Sequence, residues 1–228
     1  MAEATVVALV PMKPLEKVKR RLRRVLDPRS RAALSLVMLD HVLQAIGESS
    51  AVAQTRIIGG DAQILDLAKQ HNASWYEDDG AALNSALERA AKKAFQDGAK
   101  AILIVPSDLG MLAATDVEFI VSASADLSQV VIAQAARDAG TNALLAPNGM
   151  FPKLRFGKNS FPSHVEACRV ADISYTTVNR SGTAFDLDTP YGLGIYRAAR
   201  PSLEADLTKW LRLIPEDQFE AKMEETRA

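Results

Sequence analysis

The sequence predicts an α/β fold: a doubly wound, mostly parallel sheet with helices on both faces. Short β-rich apolar runs alternate with longer stretches of helical periodicity, at a spacing that gives successive strands a crossover helix. The length, 228 residues, suits one domain with a substantial single core.

Thr5 to Val10 is an apolar run ended by Pro11 and reads as a buried first strand. A basic connection leads to Asp27-Pro28, where Asp27 is the N-cap and Pro28 suits the first helical turn. Leu34, Val37, Met38, His41, Val42 and Ala45 of that helix share one face. Arg56-Ile57-Ile58 is a short strand closed by Gly59-Gly60, and Asp61 caps a helix running through Lys69. Ser74-Trp75-Tyr76 is a third strand, and Ala81 to Phe95 is an Ala-rich helix. Ala101 to Val105 is the clearest buried strand; the turn Pro106-Ser107-Asp108 follows, and a helix begins near Thr115. Val130 to Ala133 and Ala143 to Leu145 are further strands. Beyond Gly140 the rhythm gives way to loops, as in an inserted substrate-binding region, before Ile173 to Val178 and Thr183 to Leu187 return as late strands. From Pro201 the chain is charged and amphipathic, with Leu207, Trp210, Leu211 and Ile214 at helical spacing.

Composition narrows the function classes. A chain 48% apolar and 24% charged is of ordinary soluble type, and its net charge of -1 argues against general affinity for nucleic acid or membranes. Any electropositive function must be local. The one cysteine, Cys168, excludes an intramolecular disulfide and disfavours a cysteine zinc site. The opening residues place acid where a secretory signal carries base, so a cytoplasmic location is expected.

Five constellations can carry chemistry. Lys13, Lys17, Lys19, Arg20, Arg21, Arg23 and Arg24 place seven bases within twelve residues directly after the first strand. Ligands of open α/β sheets bind at the carboxyl ends of strands, so such a loop can hold a triphosphate; a solvated basic face is the alternative. Neither GxxxxGK[ST] nor GxGxxG is present, which removes both glycine-rich phosphate cradles. Asp108 leaves the best strand where an active-site metal would be held, or else serves as a turn or cap residue. Asp186 and Asp188 stand two apart on an expected strand, so both carboxylates face one side; a pair so close calls for a counter-ion. The alternative has Asp188 capping a helix that opens at Pro190. Gly140-Thr141-Asn142-Ala143 and the stretch Arg155 to His164 combine glycine, hydroxyl, amide and basic groups suited to a phosphate or carboxylate, with Ser160 placed to cap a helix. His164 reads as a structural or surface histidine, and the sequence suggests no Ser-His-Asp or Cys-His arrangement. Asp78-Asp79-Gly80-Ala81-Ala82-Leu83-Asn84 offers a helix start able to approach a nucleoside, or simply capping acids.

In order along residues 10–190, the stretches VPMKPLEKVKRRL, DGAALNSAL, PSDLGML, GTNALL, RFGKNSFPSH and FDLDTP resemble the 2-phospho-L-lactate guanylyltransferases of coenzyme F-420 biosynthesis. GTNALL followed by RFGKNSFPSH is the most specific of these; PSDLGML and FDLDTP are shared more loosely among nucleotidyltransferases. The resemblance implies a GT-A-like, Rossmann-like nucleotidyltransferase domain over residues 1–200, with a mixed, mostly parallel sheet. Residues 201–228 match no motif of that family; their helical spacing alone predicts an amphipathic tail packed on the same domain or on a partner subunit, as in a homodimer.

It also implies that GMP passes from GTP to a phosphorylated three-carbon acid (2-phospho-L-lactate, phosphoenolpyruvate or 3-phospho-D-glycerate), releasing pyrophosphate, with a downstream transferase taking the product. By the same resemblance, Lys13, Lys19 and Arg21 engage the triphosphate. Asp108 and Asp188, with Asp186, hold Mg2+. Thr141, Gly157 and Ser160 bind the acid, and Asn84 lies near the nucleoside. Two departures stand out: Asp79 to Leu83 lacks the family's fuller glycine pattern, and Gly110 replaces a proline. The rival readings are a nucleotidyltransferase for a sugar phosphate or molybdenum-cofactor precursor, which would open on a glycine-rich loop, and a non-catalytic nucleotide-binding protein on the same fold.

Overall fold

The computed structural model describes residues 5–77, 82–137 and 139–215; Asp78, Asp79, Gly80 and Ala81, Asp138 and the chain ends lie outside it. Among the described residues, seven strands form one sheet: β1 (Val6–Met12), β2 (Gln54–Gly59), β3 (Ser74–Tyr76), β4 (Ala101–Ile104), β5 (Val130–Gln134), β6 (Thr141–Pro147) and β7 (Tyr175–Val178). Their order is β3-β2-β1-β4-β6-β5-β7. All neighbours are parallel except β6, which is antiparallel to both β4 and β5. The cause is local: β5 and β6 are joined by residues 135–140, too few for a crossover, so the chain can only fold back. The carboxyl ends of β1 and β4 therefore meet the amino end of β6 along one edge, where a doubly wound sheet presents its ligand site.

Alternation along β1 feeds two cores. Val6, Ala8 and Val10 pack with α1 (Pro28–Glu48), α2 (Ile64–Gln70) and α4 (Ala114–Ser122), while Val7 and Leu9 pack with α3 (Leu83–Gln96) and α5 (Ser160–Val170). The first strand runs on through Pro11, which is tolerated because the β4 ladder has ended opposite Leu9. At the start of α1, Asp27 accepts from the Ser30 amide at 2.9 Å, with Pro28 in the first turn, as the sequence signals.

Three local expectations fail. Asp61 does not cap α2 with its side chain; its carboxylate accepts instead from the Leu15 amide at 2.6 Å. Thr183 to Leu187 is not a strand. A short helix, α6 (Ser181–Ala184), occupies its first half, and the backbone of the region is satisfied by single contacts rather than a ladder. The Ala136 amide donates to the Ala184 carbonyl at 2.8 Å, Asn142 Nδ2 to the Thr183 carbonyl at 2.7 Å, and the Leu187 amide to the Asp108 carbonyl at 3.2 Å. Finally, α7 (Pro190–Ala199) is capped by Thr189, whose hydroxyl accepts from the Gly192 amide, and not by Asp188.

Helix α8 (Leu203–Leu211) lies along α1, with Trp210 and Ile214 buried in the larger core and Arg29 Nη2 donating to the Leu211 carbonyl at 2.8 Å. Among the described residues, no helix is long and apolar enough to cross a membrane.

Candidate active site

The basic loop after β1 is pinned by apolar residues interleaved with its charges. Leu15, Val18 and Leu22 are buried, two single 3-10 turns (Leu15–Lys17 and Arg20–Leu22) shape the backbone, and Asp61 holds the Leu15 amide. Between the turns, Lys19 adopts a left-handed conformation with φ 50°. That turn sends the side chain inward until only 5% of it is exposed. Its Nζ donates to Asp108 Oδ2 at 2.8 Å and to Asp188 Oδ1 at 3.3 Å. Burial alone would lower the Lys19 pKa, but the two carboxylates outweigh it and raise it, so the side chain remains an ammonium at neutral pH. Lys13 and Lys17 line the same cleft, Arg21 Nη1 stands 3.9 Å from Asp188 Oδ2, and Arg20, Arg23 and Arg24 are exposed. The basic run thus divides: Lys13, Lys17 and Lys19 border the cleft, Arg21 reaches Asp188 at its edge, and Arg20, Arg23 and Arg24 face solvent.

The bond from the Leu187 amide to the Asp108 carbonyl brings the two acidic segments together. Asp108 and Asp188 border a cavity of about 610 Å³, whose walls include Met12, Lys13, Lys19, Leu83 and Phe156. Asp186 does not border this cavity. It borders a separate cavity of about 210 Å³ with Arg21 and Arg137, and only Asp188 touches both spaces. The strand alternation that would aim Asp186 and Asp188 alike is absent, and the described residues contain no cluster of three metal-ligating side chains. The counter-ion required by the close acids is Lys19. Two carboxylates converging on one cation, in a cleft lined by further cationic groups, nevertheless suit magnesium, which commonly takes one or two carboxylates plus substrate phosphate oxygens.

Behind the loop that brings Phe156 to the cleft, the groups are neutral and buried. Ser160 opens α5, yet its hydroxyl caps nothing; it accepts from the Thr141 amide at 2.7 Å. His164 is buried and hydrogen-bonded through both ring nitrogens. The Arg155 amide donates to its Nε2 at 2.9 Å, which leaves Nδ1 as the protonated nitrogen facing Thr141 Oγ1, also at 2.9 Å. Burial drives its pKa down to about 4, so the imidazole is neutral at physiological pH. The histidine is a bolt joining the end of β6 to the loop before α5. Sequence pattern gives no hint of this pairing, since the partners lie 9 and 23 residues away. Gly157 lies in that loop with φ 132°, a backbone angle that favours glycine.

Asn84 holds the loop from the other side. Its Oδ1 accepts from the Phe156 amide at 2.9 Å and its Nδ2 donates to the Phe156 carbonyl at 3.2 Å. With both ends of the amide engaged, Asn84 ties α3 to the loop carrying Gly157.

This arrangement has recognisable relatives. The family described as "Guanylyl transferase CofC like" matches residues 6–196. The chain belongs to that family. The phosphoenolpyruvate guanylyltransferase of Rubrobacter xylanophilus is 34% identical over 86% of this chain and 95% of its own. The enzyme of the same name from Roseiflexus sp. is 43% identical over 71% of each chain, and the 2-phospho-L-lactate guanylyltransferase of Methanocaldococcus infernus is 26% identical over 82% of each. Among solved structures, a Desulfovibrio desulfuricans G20 protein described as a nucleotide-diphospho-sugar transferase superposes with a TM-score of 0.74 at 22% identity, covering 93% of this chain and 98% of that one. A 4-diphosphocytidyl-2C-methyl-D-erythritol synthase gives 0.61 at 12% identity, over 87% and 99%. At such identities the structures attest the nucleotidyltransferase fold alone. Within this CofC-like guanylyltransferase, Gly110 also has a structural reason: a Cβ there would stand 2.4 Å from the Tyr196 ring.

Proposed function

We propose that the protein transfers GMP from GTP to a phosphorylated three-carbon acid with release of pyrophosphate, and that the acid is phosphoenolpyruvate. The observation that carries this reading is the convergence of Lys19, Asp108 and Asp188 in a large cleft at the strand ends, in a chain of the guanylyltransferase family. Phosphoenolpyruvate is favoured over 2-phospho-L-lactate because the relatives bearing its name reach 34% and 43% identity, against 26%.

An oxygen of the acid's phosphate attacks the α-phosphorus of GTP in line. A new P–O–P bridge forms, the bond from the α-phosphorus to the β-phosphate's bridging oxygen breaks, and pyrophosphate leaves with the electron pair. The attacking phosphate is already ionised near pH 7, so no protein base is needed, and neutral His164 offers none. Lys13, Lys17 and Arg21 draw in and orient the triphosphate, and Lys19 places a fixed, desolvated positive charge beside the two acids. Asp108 and Asp188 are the residues that would hold magnesium, which when bound supplies charge neutralisation at the reacting phosphates. Gly157 and Ser160 position the acid by backbone amides and the Ser160 hydroxyl, and Thr141, whose own amide is spent on Ser160 Oγ, by its hydroxyl. The product, a mixed diphosphate of an acid and a nucleoside, is suited to a downstream transferase that displaces GMP.

The test is mass spectrometry of products formed from GTP with each of the three acids and magnesium, with ATP in parallel. A phosphoenolpyruvate–GMP conjugate is the expected product. Exclusive use of another acid would correct the substrate, and absence of nucleotidyl transfer with all three would overturn the reading.

A further inference from the structure

Beside the main cleft lies a smaller cavity of about 230 Å³, lined in part by Arg56, Ile58, Tyr76, Glu77 and Ala86. Ile58, Glu77 and Ala86 also border the main cleft, so the two spaces adjoin across these three residues. Sheet register explains the grouping. Arg56 and Ile58 stand two apart on β2 and share a face, Tyr76 pairs with Ile58 on β3, and Glu77 follows at that strand's end.

Arg56 is the anomaly. Its side chain is 5% exposed; Nη2 donates to Asp97 Oδ2 and Nε to Gln54 Oε1, each at 3.0 Å, yet buried Nη1 has no hydrogen-bond partner. A desolvated guanidinium donor left unpaired is costly, and a ligand acceptor is one way to satisfy it. Close by, the Tyr76 ring is partly exposed with the Arg56 guanidinium 5.7 Å from its centroid, and Glu77 presents an exposed carboxylate. The cavity therefore combines apolar walls, an aromatic face, the cationic side chains of Arg56, Arg89 and Lys93, and the Glu77 carboxylate as acceptor.

We propose that this cavity is the guanine subsite, with Glu77 and Arg56 as the residues that select the base; the proposal rests on the guanylyltransferase reading above. Guanine's Watson–Crick edge carries two adjacent donors, N1–H and the N2 amino group, followed by the O6 acceptor. A carboxylate takes both donors, and a guanidinium serves O6 and N7. Adenine turns a lone pair at N1 toward the carboxylate and a donor toward the guanidinium, so the same two residues reject it. Ile58 and Ala86 supply the apolar surfaces on which the purine faces rest.

The experiment compares kcat/KM for GTP, ITP and ATP in the wild type, Glu77→Gln and Arg56→Lys. ITP lacks only the N2 amino group and isolates the Glu77 contact. The wild type is expected to favour GTP over ITP by about tenfold or more, the worth of a hydrogen bond to a charged group. Glu77→Gln should lower GTP use by a similar factor and shrink the GTP-to-ITP ratio towards unity. Arg56→Lys should weaken GTP and ITP together, since both carry O6; because Arg56 is buried, the variant at exposed Glu77 decides the outcome if Arg56→Lys does not fold. A wild type that prefers GTP while Glu77→Gln keeps the full GTP-to-ITP ratio would overturn the subsite and leave the guanylyl reading standing. Equal use of GTP and ATP by the wild type would remove that reading itself.

Discussion

At the cleft Lys19, Asp108 and Asp188 meet as full charges; behind the loop that brings Phe156 to the cleft, Thr141, Ser160, His164 and the Arg155 amide meet as neutral partners in a buried network. The charged side is partly open to solvent, and its geometry depends on a balance between like-charged acids and one ammonium. The neutral side depends on each donor finding its acceptor in a dry setting. A triphosphate brings charge and needs charge in return. A small acid must be held at a fixed angle, which rigid dipoles do well. The two sides should therefore fail differently.

The largest expected effect lies on the charged side. Asp108→Asn and Asp188→Asn should each reduce GMP transfer by about a hundredfold or more, since on the proposed reading each removes a magnesium-holding charge worth several kcal/mol to the reacting phosphates. Lys19 also fixes the sign of the stability change. Taken alone, like charges would gain from losing one member, but here the acids already share a buried ammonium. Either substitution leaves that ammonium less compensated, so thermal melting without metal should fall. A hundredfold loss with unchanged or raised melting temperature would show that the trio is not coupled as described. Near-normal turnover at limiting magnesium would break the charged half of the comparison outright.

Next comes the bolt on the neutral side. His164 has its pKa lowered from 6.5 to about 4 by burial, so between these values the unfolded chain binds a proton that the folded chain refuses. Stability is intact above about pH 6.5, falls as pH drops through the window, and levels off below about 4. The total from this group is about 3 kcal/mol at 1.36 kcal/mol per pKa unit. Denaturant melts from pH 7 to 4 should show a shallower slope for His164→Gln than for the wild type, the remainder including His41, whose pKa burial also lowers. Identical slopes would mean that His164 titrates normally.

Ser160→Ala follows. Its hydroxyl accepts from the Thr141 amide in a buried setting, so the substitution strands that donor at about 1–3 kcal/mol. Thr141 should shift, and KM for the acid should rise about tenfold with KM for GTP unchanged. Equal rises in both constants would mean that the two halves are not independent.

The same contrast explains what the sequence made legible. Charge announces itself: Lys13 to Arg24 stands out in composition, and Asp108 is marked by the strand before it. The strands and helices of the doubly wound sheet were legible for a similar reason, since periodicity is a local signal. Hidden features depend on single long-range bonds. Whereas the antiparallel β6 follows from the short connection 135–140, the loss of the Thr183 to Leu187 strand follows from backbone contacts with residues distant in sequence. The pairing of Asn84 with the Phe156 backbone, 72 residues away, is hidden for the same reason. Asp78 to Ala81, read as a nucleoside-facing turn, lies outside the described residues.

The smallest expected effect tests whether charge alone makes a site. Arg23 and Arg24 belong to the same basic run as Lys19 and follow it by only four and five positions, yet both are exposed and neither lines the cleft. At physiological ionic strength their field is screened over about 8 Å, and isolated surface charges contribute at most a few tenths of a kcal/mol. Arg23→Gln with Arg24→Gln should therefore change kcat/KM for GTP by less than about threefold at 0.15 M salt, with a somewhat larger change at low salt, where long-range steering of the triphosphate returns. Lys19→Met, one charge instead of two, should cost far more at either salt, because its ammonium is desolvated and doubly paired. If the paired surface substitutions matched Lys19→Met in effect, the basic run would act through its net charge, and the division into a site-facing half and a solvated half would have to be abandoned.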